Sequence, residues 1–216
     1  MVVSAFILWI HIAAGSVALL TAAIALITQK GGTKHIRAGR LYAASMTLVF
    51  LTAVPLAYLG SSVFLLLIAV FSFYLVFAGW RFARNYEGNP HIVDWAAITA
   101  MGLTGLGMWG YAAVLMRGGN SQWITMVLFG FIALALSVAD VRFYRAAQTQ
   151  SARRIARHLT NMMAGTIATI TAVVVVNVDT NPVWLGWIMP TLLITPLIVW
   201  WNIRIARLGR NRPARS

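Results

Sequence analysis

The chain has 216 residues, of which 60% are hydrophobic and only 10% charged, with a mean hydropathy of +0.79. A soluble domain carries about 25% charged residues, so this composition excludes an ordinary soluble domain, and the apolar content excludes a disordered one. Lys plus Arg number 17 against 4 Asp plus Glu, a net charge of +13, yet no basic segment is interleaved with stacking aromatics, so no nucleic-acid partner is expected.

Seven apolar spans follow in chain order, at about 4–28, 39–59, 62–83, 92–115, 122–141, 158–177 and 183–203. Each is near the roughly 20 residues that cross a hydrocarbon core. The reading is an all-α, polytopic, seven-transmembrane-helix bundle over residues 1–203, followed by a basic tail at 204–216. The first span has no basic segment before it, and its basic residues follow the apolar run, so it reads as a retained helix and not as a removable signal peptide. Gly60-Ser61-Ser62, Gly118-Gly119-Asn120 and Asp179-Thr180-Asn181-Pro182 predict tight hairpins. Pro55, Pro190 and Pro196 fall inside spans and predict kinks. Trp184 and Trp187 open the last span and Trp200 and Trp201 close it, which fits two interfacial belts.

The positive charges sort to one side. Lys30, Lys34, Arg37 and Arg40 follow the first span, and Arg81 and Arg84 the third. Arg142, Arg145, Arg153, Arg154 and Arg157 follow the fifth, and Arg204, Arg207, Arg210, Arg212 and Arg215 the seventh. Arg117 alone lies on the other side. Positive loops mark the cytoplasmic side, which predicts the N-terminus outside and the C-terminus cytoplasmic. The charge is then an orientation signal and an attraction for anionic lipid heads at the inner face.

Ionisable residues inside such spans are functional candidates. His11 continues through Gly15, Ala18 and Ala22 on a small-residue face that predicts packing into the bundle. The bland reading for it is a histidine bonded to a neighbouring helix; an axial ligand or a proton site is the sharper one. His35, His91 and His158 converge on the cytoplasmic ends of the second, fourth and sixth spans, with His35 just before its span. They read as interfacial histidines in basic loops, as a haem b site, or as an anionic-ligand or quinone pocket. A b-type haem takes two imidazoles at matched depth with basic groups near its propionates. His35 and His158 are the expected iron ligands, His91 a substitute, and Arg40 and Arg157, with Arg37 and Arg154, the expected propionate partners. A second haem is not expected, because His11 has no imidazole partner on the outer side. Asp94 and Asp140 read as structural ion pairs with Arg81, Arg84 or Arg142, or as a proton relay with His91 or His158. The glycines at 102, 105, 107 and 110 read as helix packing.

Other chemistry is missing from the sequence. Absent cysteine excludes disulfides, thiol catalysis, Cys-ligated zinc and iron–sulfur clusters. No serine-hydrolase elbow, zinc-protease motif or phosphate loop is present. Both lysines lie in the first inner loop, so no helix offers a retinal Schiff base.

The run His11-x-x-x-Gly15, then Lys30-Gly31-Gly32-x-x-His35-x-x-x-Gly39-Arg40-x-Tyr42-x-x-x-Met46, resembles the opening of the bacterial membrane proteins grouped as domain-of-unknown-function family 2306. Tyr74-Leu75-Val76 with Trp80-Arg81, Arg157-His158-x-x-x-Met162, Thr171-Ala172-x-x-Val175-x-Asn177 and Trp187-x-x-Pro190-Thr191 are similar to its later parts. The chain departs from members with an aromatic-rich stretch after the sixth-helix histidine. The resemblance implies a bacterial cytoplasmic (inner) membrane protein and marks His11, His35, His158, Gly39, Arg40 and Met46 for testing. It implies no activity. Three functions follow as expectations: a haem-b redox protein, a non-catalytic accessory or assembly subunit with a protein partner or a second copy, and a small-molecule or proton-linked transporter using His11, Asp94 and Asp140.

Overall fold

A computed structural model describes residues 2–146 and 151–210. They form seven α-helices and no strand: α1 Val2–Ile27, α2 Thr33–Leu59, α3 Val63–Arg84, α4 Ile92–Arg117, α5 Trp123–Arg145, α6 Ser151–Asn177 and α7 Trp184–Arg210. All seven are long and apolar enough to cross a membrane, so the chain is a multi-pass membrane bundle. Expectations for Arg212 and Arg215 of the basic tail fall outside the described residues.

Helices outrun the apolar spans at the basic loops. α2 starts at Thr33 and α6 at Ser151, while α7 continues to Arg210. Hydropathy marks only the part of a helix inside hydrocarbon. Lys and Arg are good helix formers, and their long stems let the charged ends leave the apolar layer. His35 therefore stands on the first turn of α2, where the sequence reading has it preceding the helix. His158 lies about two turns into α6.

Helices adjacent in sequence pack as pairs: α1 on α2, α4 on α5, α6 on α7. α3 is central, packing on α2, α4 and α6. The largest apolar cluster joins α3, α4 and α5 through Leu75, Phe82, Met101, Met108, Met126 and Phe129. A second joins Ala18 and Ala22 of α1 to Tyr42 and Met46 of α2 and Val76 of α3. Lipid offers no hydrophobic drive between helices, so close packing of small residues matters more than in water. At Gly105 an added Cβ would stand 3.0 Å from the Gly130 carbonyl and 2.9 Å from Leu134, whereas at Gly110 it would meet nothing within 4 Å. Of the four glycines of α4, Gly105 is thus the one on which α5 closes. The Gly60–Ser62 hairpin is as tight as its composition predicts. Ser61 takes a positive φ of 50°, and the Ser62 hydroxyl accepts from the Leu65 N–H and caps α3.

Cross-links gather the basic ends of the helices. Arg81 joins α3 to α4, Arg157 joins α6 to α5, and Arg154 joins α6 to the last turn of α3. His35 joins α2 to α1, and Lys30 stands over the Trp201 ring of α7. This basic end holds three of the four histidines.

Candidate functional site

His35 Nδ1 lies 3.0 Å from the Ala25 carbonyl oxygen, one of the last-turn carbonyls of α1 that have no partner within their own helix. The Lys30 ammonium donates to the same oxygen and to that of Leu26. His158 Nδ1 lies 2.8 Å from the Gly79 carbonyl oxygen of α3. A carbonyl only accepts, so both Nδ1 atoms carry the proton and donate. In the neutral rings both Nε2 atoms then keep a free lone pair. The two rings lie 6.4 Å apart, centroid to centroid, with planes at 87°.

Glycines make this arrangement sterically available. A Cβ at Gly79 would stand 2.9 Å from Met162, one turn beyond His158, so glycine is what lets α6 approach the carbonyl that His158 binds. Gly39 follows His35 by one turn on a similar helix face, and a Cβ there would meet nothing within 4 Å, so there is open space beside His35. Deeper in, the same faces of α2 and α6 meet. Tyr42 is buried with its hydroxyl against Gly165, and the Thr169 hydroxyl lies 3.5 Å from the Met46 sulfur. The Tyr42 hydroxyl and Asn161 Oδ1 are buried without a hydrogen-bond partner. The sequence marks Asn161 only as an amide one turn beyond Arg157 among the threonines and apolar residues of the sixth span.

The remaining candidates do not join the pair. His91 is exposed at the N-cap of α4, where its N–H donates to Asp94 Oδ2. His11 is on α1, bonded to Thr52 of α2. Arg40 is exposed and stands five residues from His35, about 140° round the helix. Arg157 and Arg154, expected near propionates, have protein partners. Arg157 donates through Nε (2.7 Å) and Nη2 to Asp140 Oδ1, and Arg154 donates to the Phe82 and Ala83 carbonyls.

Both buried carboxylates accept from arginines. Asp140 also accepts from the Tyr74 hydroxyl at 2.5 Å, and its partner is Arg157 of α6, where the sequence suggests Arg142. Two residues further on, Arg142 leaves α5 on the opposite side and is exposed. Asp94 receives Arg81 in a two-point bond, Nε to Oδ1 and Nη2 to Oδ2, both 2.7 Å. Among the described residues no group of three or more His, Asp or Glu side chains gathers as a metal site. Among the described residues His35 and His158 are the one pair of imidazoles in ring contact. No protein-family model, curated protein or solved structure matches the chain.

Proposed function

We propose that this membrane protein is a redox protein that holds a b-type haem between His35 and His158. The observation that carries the reading is the pair itself: two imidazoles on different helices, each with Nδ1 tied to a backbone carbonyl. That outer bond fixes ring orientation and raises the basicity of the other nitrogen, as it does in ligating histidines. At 6.4 Å between ring centroids and with metal–nitrogen bonds of about 2 Å, the two imidazoles are near enough to share one iron, and a Cβ at Gly39 would meet nothing within 4 Å beside His35. Bound haem would supply one-electron chemistry, at a potential tuned by ligands and burial.

The basic side chains play a smaller part in this reading. With Arg154 and Arg157 held by protein groups and Arg40 turned away, the basic end contributes a positive field more than a clamp on propionates. The loop charge asymmetry supports placing that end in the cytoplasm, across a bacterial inner membrane. A proton-linked transporter is less well supported, because Asp94 and Asp140 both accept from arginines and neither offers a free carboxylate.

The test is a spectrum. Protein purified in mild detergent from cells supplied with a haem precursor should show a dithionite-reducible b-type spectrum and a stoichiometric pyridine haemochrome. His35→Ala and His158→Ala should each abolish it, while His11→Ala and His91→Ala should leave it intact. A folded protein that stays colourless after haem reconstitution overturns the reading and favours an accessory or assembly subunit.

A further inference from the structure

A cleft of about 770 Å³ opens between α4 and α5, away from the histidine pair. Its walls are Ile98 and Gly102 of α4 and Leu134, Val138 and Val141 of α5, and Arg142 and Arg145 stand at its mouth. That volume is within the range of ligand pockets. From Leu134 to Arg145 the α5 wall rises about 16 Å, roughly half of a 30 Å hydrocarbon core. The cleft is therefore one leaflet deep, mainly apolar along its length with Thr99 and Ser137 as its uncharged polar side chains, and cationic at its interfacial end. Arg142 and Arg145 are exposed, and among the described residues neither guanidinium has a hydrogen bond, ion pair or ring contact. This separates them from Arg81, Arg154 and Arg157, whose guanidinium groups have protein partners.

We infer that the α4–α5 cleft is a binding site for an anionic phospholipid. One acyl chain lies along Gly102, Leu134 and Val138, and the headgroup phosphate rests on Arg142 and Arg145. Basic pockets between membrane helices take anionic headgroups in this way. Guanidinium groups match phosphate oxygens in charge and in paired hydrogen-bond geometry. Glycine at 102 keeps the cleft open. A Cβ there would meet only the Ser137 hydroxyl, at 3.8 Å, so a larger side chain fits without moving backbone and fills the space meant for the chain.

The test is native mass spectrometry of the detergent-solubilised protein titrated with phosphatidylglycerol, or with phosphatidylcholine of the same acyl chains. Wild type should retain one phosphatidylglycerol at least five-fold better than phosphatidylcholine. Arg142→Gln with Arg145→Gln should remove that preference, and Gly102→Leu should lower retention of both lipids. Arg37→Gln with Arg40→Gln, which changes exposed charges on α2, should have no effect. Excess inorganic phosphate should not displace the lipid; if it does, the site takes phosphate and the lipid assignment fails. Equal retention of the two lipids by wild type overturns the proposal, as does equal loss in the α2 double variant. Circular dichroism of each variant checks that it is folded, and Arg142→Lys with Arg145→Lys should keep most of the preference.

Discussion

At the basic end of the bundle, helices are tied through ionised or ring donors: Arg81 to Asp94, Arg157 and Tyr74 to Asp140, Arg154 to the end of α3, and His35 and His158 to carbonyls of α1 and α3. Toward the opposite end the described residues contain no ion pair. There the helices meet through the His11–Thr52 bond, the Trp109 indole on the Val127 carbonyl, the edge-to-face Phe64–Trp187 pair and the Gly105–Gly130 approach. One half is registered by charge and the other by shape. In lipid an unpaired polar group finds no water, so the charged half should fail steeply when one partner is removed. The shape-registered half should degrade in small steps.

The largest expected effect is at Asp140. Asp140→Ala leaves the Arg157 guanidinium without its anion and the Tyr74 hydroxyl without its acceptor. Removing one member of a buried pair costs about 3–5 kcal/mol. Unfolding by titration of sodium dodecyl sulfate into mixed micelles, followed by tryptophan fluorescence, measures it. Arg157→Ala should cost a similar amount, and the double variant should cost well below the sum of the two, since the residues share one interaction. Additive losses would show that the pair contributes no coupling and would remove the contrast between the two halves.

Asp94 comes next. Arg81 and Arg157 are almost equally exposed, 19% and 17% at the side chain, so the smaller loss comes from the milder substitution. Asp94→Asn keeps the shape but loses the charge behind two Arg81 bonds and weakens acceptance from the His91 N–H. Hydrogen bonds to charged groups contribute about 1.5–3 kcal/mol, and the same titration should report a loss in that range. A loss as large as that of Asp140→Ala would mean that the charge of Asp94, and not its shape, carries the pair.

Shape registration is tested by two glycines of one helix. Gly105→Ala drives a methyl against the Gly130 carbonyl and Leu134, and overpacking of this kind costs about 1–3 kcal/mol. Gly110→Ala meets nothing and gains helix propensity of up to about 1 kcal/mol. Opposite signs in the unfolding midpoint are expected. Equal signs would place the α4–α5 contact elsewhere.

The seven helices were legible because apolar length and turn composition are local properties. So was the gathering of positive charge, which needs only a count along the chain. What was not legible lies between helices. The sequence offers Asp140 several arginines, and only the rotation of α5 against α6 selects Arg157 over Arg142. The structure places His35 and His158 together, but the two carbonyls that fix their rings, at Ala25 and Gly79, leave no mark in the sequence. The four glycines of α4 look alike as letters, and α5 closes on Gly105. The α4–α5 cleft was likewise invisible, because an apolar wall facing lipid and one facing a gap have the same composition.

The smallest effect belongs to the side-chain to side-chain hydrogen bond of the shape-registered half, between His11 and Thr52. The Thr52 hydroxyl lies 2.8 Å from the Leu48 carbonyl and 2.9 Å from that of Val49, so its proton is engaged by its own helix. Its oxygen then accepts from His11 Nδ1 at 3.0 Å. Thr52→Val keeps the branched shape and removes that acceptor. Single interhelical hydrogen bonds in membranes average about 0.6 kcal/mol and reach about 1.7 kcal/mol, because the donor finds other partners when the bond is lost. A shift of that size, with no change in the visible spectrum of haem-loaded protein, would make His11 a structural residue. If Thr52→Val instead altered the spectrum or the midpoint potential, His11 would be coupled to the His35–His158 pair across the bundle, and the two halves would not be independent.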